Sequence, residues 1–170
     1  MEDFEKSFDK AQDKFYNSAL RFLSYRPRSE KELRDKLKSK KASSEIVEKV
    51  IAKLKEQKFI NDEEFARWWI ESRLRFRPRS INLIKRELLQ KGVDRDLIDA
   101  QISNLIHSTS SGQISNELEN AKKLINKKIM RYKSLSRQEI YQKLGSYLAR
   151  RGFDWDTIKQ SIDESLFNGV

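Results

Sequence analysis

The chain has 170 residues, five glycines, two prolines and a formal net charge of +10, and 36% of its residues are charged. It has no cysteine and no apolar run near the roughly 20 residues that cross a membrane, which excludes disulfide bonds, thiolate chemistry and a spanning helix. Because the first residues are also too acidic for a secretory signal, we expect a cytoplasmic protein with a polyanionic or acidic partner.

The first predicted element is a helix over about Phe4–Ser24, where apolar residues recur every three or four positions. Pro27 ends it, because proline disfavours helical geometry in the preceding residue. Ser29 and Glu32 then form a capping-box pattern, which predicts the start of a second helix. A turn at residues 40–43 and a serine cap predict a third helix, so this part of the chain forms a three-helix module.

The turn Arg26–Ser29, with the sequence Arg-Pro-Arg-Ser, recurs letter for letter at Arg77–Ser80. Apolar residues on both sides follow the same offset of 51, since Tyr25, Leu33 and Leu37 correspond to Phe76, Ile84 and Leu88. Matched positions over most of 51 residues predict an internal repeat.

The second module begins at the cap Asn61 and turns at Gly92, a residue suited to left-handed backbone. After a Ser-rich stretch, the apolar spacing of the first two modules recurs with fewer matching positions, and Ser136 and Glu139 form another capping-box pattern.

The predicted fold is all-α: three tandem three-helix repeats that form an elongated, curved array. The predicted boundaries are residues 1–18 for an N-terminal helical extension, 19–58 for repeat 1, 59–107 for repeat 2, 108–114 for a linker and 115–170 for repeat 3.

Basic residues cluster around the break after the first helix of each repeat. An equivalent patch on every repeat would form a continuous basic track for phosphates or for a long acidic surface. The alternative is that these are only solvated helix faces. The candidate partner-binding or nucleic-acid-binding residues are Arg26, Arg28, Lys31, Arg34, Lys38, Arg73, Arg75, Arg77, Arg79, Lys85, Arg86, Arg131, Lys133, Arg137, Arg150 and Arg151.

Other classes of function fit less well. The third helix of each repeat is acidic, which disfavours sequence-specific reading of the major groove. Aromatic residues such as Tyr25, Trp68 and Phe76 could stack unpaired bases, although aromatics at helical spacing usually belong to the core. With one histidine, no cysteine and no phosphate-cradling glycine loop, the sequence predicts no enzyme, no metal site and no cofactor.

Several stretches resemble the bacterial regulatory protein RecX family. The segment Ala19–Leu37 resembles the family's opening, Phe59–Ala66 resembles its aromatic, aliphatic and acidic pattern, and Lys91–Val93 and Arg151–Phe153 match its basic-glycine turns. The third repeat departs from the pattern, since Lys133–Ser136 replaces the Arg-Pro-Arg-Ser turn.

The resemblance implies a modulator, usually an inhibitor, of the RecA recombinase. Such a protein would lie along the groove of the RecA–single-stranded DNA filament and contact DNA directly or through RecA. We expect it to bind no membrane and to be a monomer. Two alternatives stay open: a general single-stranded nucleic-acid-binding protein and a scaffold for another protein. The resemblance and the charges together predict that changing Arg26, Arg28, Arg77 and Arg79 to Glu abolishes inhibition and preserves helix content.

Overall fold

The computed structural model describes residues 2–108, 117–132 and 134–167, and the regular structure in these ranges is entirely helical. Three consecutive groups of three helices confirm the predicted tandem repeats. Repeat 1 contains α1, α2 and α3, repeat 2 contains α4, α5 and α6, and repeat 3 contains α7, α8 and α9. The bounds are α1 Glu2–Leu23, α2 Glu30–Ser39, α3 Ser44–Glu56, α4 Asp62–Phe76, α5 Ile81–Gln90, α6 Arg95–Ser108, α7 Glu117–Ile129, α8 Arg137–Ala149 and α9 Trp155–Phe167. A short 3₁₀ helix, Met130–Tyr132, follows α7.

The predicted helix starts are confirmed by their caps. Ser29 and Ser136 each accept a hydrogen bond from the backbone N–H three residues later, and Glu32 and Glu139 return the bond to the cap backbone. Ser43 caps α3 through the N–H of Ile46. These bonds satisfy amides that a helix N-terminus leaves without intrahelical partners.

The repeat register predicted from the apolar positions is confirmed by burial. Leu33, Ile84 and Ile140 occupy the same place in α2, α5 and α8, and none is more than 7% exposed. Leu37, Leu88 and Leu144 lie one turn later and are fully buried. Each second helix therefore inserts one ridge of two large aliphatic side chains into its repeat.

The described residues form two compact units. The first contains the chain up to Trp68 together with Leu88–Ile98, and the second contains Trp69–Glu87 together with the chain from Asp99 onward. α1 runs without a break through the predicted extension, and its residues Phe15 and Tyr16 pack against the core of repeat 1. The predicted linker lies outside the described residues except for Ser108, the last residue of α6.

The residue that closes the second helix of each repeat has left-handed backbone. Gly92 and Gly152 have φ of 80° and 87°, which confirms the turn predicted at Gly92. Lys41 occupies the equivalent position in repeat 1 with φ of 65°. Left-handed geometry costs a residue with a side chain roughly 1–2 kcal/mol, so repeat 1 keeps a lysine where glycine would be less strained. Lys58, after α3, has similar geometry.

Replacing Gly152 by Ala is expected to destabilise the second unit by about 2 kcal/mol or more. An alanine Cβ would lie 2.6 Å from Leu83 Cβ and 2.7 Å from Ser80 Oγ, in addition to the strain of positive φ. Thermal unfolding followed by circular dichroism measures the effect. Ala149→Gly, at an exposed position near the end of α8, is the comparison variant, and an unchanged melting temperature in Gly152→Ala would contradict the prediction.

Candidate interaction surface

The arginines of the first Arg-Pro-Arg-Ser turn are held by their own repeat. Arg26 donates two hydrogen bonds to the Glu32 carboxylate, at 2.7 and 3.2 Å, and a third to the carbonyl of Pro27. The Arg28 guanidinium lies 3.8 Å from the centre of the Phe22 ring. Burial, reinforced by the charge of Arg26, lowers the pKa of Arg28. The geometry of this turn is therefore set by contacts within the chain.

The same turn receives the basic-glycine turn of repeat 2, in a contact that we call the first junction. Ser29 Oγ donates to the carbonyl of Lys91 at 2.8 Å, and Lys91 Nζ pairs with Glu32 at 2.7 Å. The backbone N–H of Glu30 donates to Asp62 at the start of α4, also at 2.8 Å. The adjacent residues Ser29 and Glu30 thus contact both the basic-glycine turn and the start of α4, and Glu32 neutralises the charges of Arg26 and Lys91 between them.

Glu32 makes the first junction sensitive to acid. Partial burial alone would raise the pKa of Glu32, but the hydrogen bonds and charges of Arg26 and Lys91 outweigh burial and lower it from 4.5 to about 2. The stability that depends on this lowered pKa is complete above pH 4.5 and is lost as the pH falls towards about 2.

We expect Glu32→Gln to lower stability by about 2 kcal/mol near neutral pH, because it removes the negative charge that pairs with Arg26 and Lys91. The difference in stability between this variant and the unchanged chain should shrink as the pH falls from about 4.5 towards 2. Melting curves at a series of pH values would measure it. Glu45→Gln, at an exposed position on α3, is the control. If the difference in stability stayed constant down to the lowest pH, the lowered pKa of Glu32 would not be what stabilises the first junction.

The second Arg-Pro-Arg-Ser turn is organised by a single carboxylate. Glu87 is only 12% exposed, and one of its oxygens accepts from Trp69 Nε1 at 2.9 Å and from Arg73 Nε at 2.8 Å. Arg79 lies against its other oxygen. Burial, followed by the charges of Arg73 and Arg151, lowers the pKa of Arg79. Glu87 therefore neutralises a crowded group of guanidinium groups.

A second junction repeats the plan of the first. The backbone N–H of Ser80 donates to the carbonyl of Arg151 at 3.0 Å, and the Arg151 side chain donates to the carbonyl of Pro78 at 2.9 Å. The N–H of Ile81 donates to Glu117 at the start of α7, at 2.7 Å. In both junctions a carboxylate from the next repeat caps the first amide of the second helix, while the next basic-glycine turn contacts the serine.

The structure divides the predicted basic residues into two groups. Nine of them contact other groups of the chain through ion pairs, hydrogen bonds to carbonyls or stacking: Arg26, Arg28, Lys31, Arg34, Arg73, Arg79, Lys85, Arg137 and Arg151. Six are exposed and form no ion pair with another described residue, although Arg75 lies 5.2 Å from the centre of the Phe76 ring: Lys38, Arg75, Arg77, Arg86, Arg131 and Arg150. Lys133 lies outside the described residues.

Aromatic residues are exposed at one equivalent position in repeats 1 and 2. Tyr25 is 76% exposed and Phe76 is 71% exposed, and each directly precedes an Arg-Pro-Arg-Ser turn. Trp69, in the middle of α4, is instead buried, at 7% exposure. Trp68 is half-buried, with its ring centre 6.1 Å from that of Phe65. Tyr25 and Phe76 are thus the aromatic positions of the pattern that are available for a partner.

A groove of roughly 820 Å³ lies in the second unit beside the second turn. Leu74, Pro78 and Leu124 give it apolar lining, and Arg75, Lys123 and Lys127 give it positive charge, with Glu71 also present. The groove combines basic residues of repeats 2 and 3 on one face of this unit. Its chemistry suits an acidic ligand with some apolar surface.

The carboxylates of the two junctions were not identified from sequence as junction groups. The acidic residues that begin α4 resemble ordinary helix-dipole charges, yet Asp62 accepts from the first amide of α2. Glu117 does the same for α5. The recurrence of an acidic residue at the start of the first helix in repeats 2 and 3 is the signal that could have identified them.

Within the described residues, no helix is long and apolar enough to span a bilayer, and no three His, Cys, Asp or Glu side chains are grouped as metal ligands would be.

Comparison with known proteins identifies all three repeats. Family models described as the first, second and third three-helix domains of RecX match residues 16–54, 61–100 and 115–162. A crystal structure of RecX from Lactobacillus salivarius superimposes with a TM-score of 0.69 at 29% identity, and it covers 94% of this chain and 99% of that one. A second RecX crystal structure gives a TM-score of 0.70 at 28% identity and covers 92% of this chain and 74% of that one.

Curated relatives share sequence over most of the chain. The regulatory protein RecX of Bacillus velezensis is 35% identical over 154 residues, which cover 91% of this chain and 56% of that protein. The RecX of Clostridioides difficile is 35% identical over 88% of this chain and 67% of that protein. The chain spans about half the length of the Bacillus relatives that it matches. On the matches to all three domains and to these relatives, the chain belongs to the RecX family of regulatory proteins.

Proposed function

We propose that this chain regulates the RecA recombinase by binding to the RecA–single-stranded DNA filament in the cytoplasm and inhibiting strand exchange and ATP hydrolysis. The observation that carries the proposal is a set of three exposed arginines in repeat 2 of a chain of this family: Arg75 and Arg77 at the second Arg-Pro-Arg-Ser turn and Arg86 on the α5 helix that follows it. Unpaired surface arginines supply electrostatic attraction to phosphates and carboxylates without first breaking an ion pair.

The exposed aromatics would add apolar contact to this attraction. Burying an aromatic side chain of the size of Tyr25 or Phe76 contributes about 1.5–3 kcal/mol. Aromatic and arginine side chains dominate the energetics of many protein interfaces. Each turn would then contact the filament through one aromatic side chain and its neighbouring cations.

The proposal is tested by comparing the affinity of the chain for bare single-stranded DNA with its affinity for the same DNA coated by RecA, at matched salt. We expect tighter binding to the coated DNA, a fall in affinity as salt rises, and slower ATP hydrolysis by RecA when the chain is bound. Equal affinity for both would favour a general single-stranded nucleic-acid-binding protein. Binding to neither would favour a scaffold for another protein.

A further inference from the structure

A second groove, in the first unit, is lined by cations and hydrogen-bond donors from outside the Arg-Pro-Arg-Ser turns. Its volume is roughly 700 Å³, and none of the described residues that line it is acidic. The lining residues are Lys14, Phe15, Asn17, Ser18, Arg21 and Lys40. We propose that this groove binds the phosphate backbone of single-stranded nucleic acid.

The helical spacing brings the donors together. Lys14, Asn17, Ser18 and Arg21 follow the three- and four-residue intervals of one face of α1, and Lys40 completes the groove from the turn after α2. Lys14, Arg21 and Lys40 are exposed, and none of the three forms an ion pair with another described residue. Three cations are thus available to an incoming anion.

The chemistry of the groove favours nucleic acid over an acidic peptide. Lysine, arginine, asparagine and serine are the side chains that donate to phosphate oxygens in protein–nucleic acid complexes. Phe15 is half-buried in the groove wall and offers part of a flat apolar ring to a sugar or base.

The strained turn beside the groove is an independent observation. Lys41 adopts φ of 65° where repeats 2 and 3 have Gly92 and Gly152, and both Lys40 and Lys41 are exposed. A strained residue retained at such a position is often functional. In repeat 1 this backbone position carries a second positive charge adjacent in sequence to Lys40, which lines the groove, and Lys41 contributes to the attraction.

The test uses the full chain and a fluorescein-labelled oligothymidylate, with no RecA, so that its outcome is independent of the proposed regulation. The triple variant Lys14→Gln, Arg21→Gln and Lys40→Gln is expected to bind roughly tenfold more weakly at low salt. The slope of log affinity against log salt should fall by about 2, because each single-strand phosphate contact contributes about 0.7. A matched control, Lys49→Gln, Arg95→Gln and Lys159→Gln, makes the same change in net charge with exposed residues of α3, α6 and α9.

The groove assignment is overturned if the two triple variants lose affinity equally, or if the first loses none while both keep their helical circular dichroism. Stronger competition by polyglutamate than by unlabelled oligothymidylate would assign the groove to an acidic peptide, and tighter binding of duplex DNA would exclude a single-strand site.

Lys41→Gly is expected to raise the melting temperature by about 2 °C and to weaken oligothymidylate binding twofold or more. Unchanged binding in this more stable variant would overturn the role of Lys41.

Discussion

Changing Arg75, Arg77 and Arg86 to Glu is expected to weaken binding to the RecA–single-stranded DNA filament at least about a hundredfold, with helix content and melting temperature preserved. The three side chains are exposed and form no ion pair with another described residue, so their reversal deprives no described carboxylate of its cation. Binding is weakened because three positive charges at the contact surface become three negative ones, a change of six units of charge. Inhibition of RecA ATP hydrolysis and direct filament binding both measure it.

The control for this experiment changes Lys49, Arg95 and Lys159 to Glu. These residues are exposed in the third helix of each repeat, and the exchange alters the net charge by the same amount. We expect it to weaken binding only severalfold, through the lower overall charge. If both variants lose binding equally, the chain attracts the filament through net charge alone and the arginines beside the second turn have no special role.

Replacing Glu87 by Gln is expected to be among the most destabilising single changes in the second unit, at about 3 kcal/mol. Glutamine keeps an acceptor for Trp69 but leaves Arg73 and Arg79, whose side chains are 18% and 31% exposed, without a counter-charge. For a chain of this length, 3 kcal/mol lowers the melting temperature by roughly 6–12 °C, which circular dichroism would measure.

Glu71→Gln is the comparison for Glu87→Gln, because it removes an exposed carboxylate from α4 in the same unit. We expect it to change the melting temperature very little, as is usual for surface charges. A double change, Glu87→Gln with Arg79→Met, should recover part of the loss by removing one unpaired cation. Full stability in the single Glu87 variant would show that solvent screens these arginines.

The repeat and its helix starts were predictable from sequence, because both are encoded locally. A serine followed three residues later by a glutamate specifies a cap, and the apolar spacing of Leu33 and Leu37 specifies a buried ridge. These signals recur at Ile140 and Leu144, so the weaker third repeat was recognisable as well.

The partners of the arginines were not predictable, because they depend on which helices meet. Glu87 is on α5, whereas Trp69 and Arg73 are on α4 and Arg79 precedes α5; no spacing rule relates all four. The four-arginine exchange that the sequence suggested therefore needs a different choice of residues. Glutamate at Arg26 or Arg79 would stand beside Glu32 or Glu87, and the fold would lose stability together with binding.

The two junctions give the chain a polarity. Each contact joins an Arg-Pro-Arg-Ser turn to the basic-glycine turn of the following repeat, so the two sides of a repeat are not interchangeable. Heterologous contacts of this kind join unlike surfaces of successive repeats, so the same contact can be used again. By the same rule, a further repeat would attach at the counterpart turn at the start of α8, where Ser136 is exposed, and the Bacillus relatives, about 1.6 times as long as this chain, have enough residues for another copy.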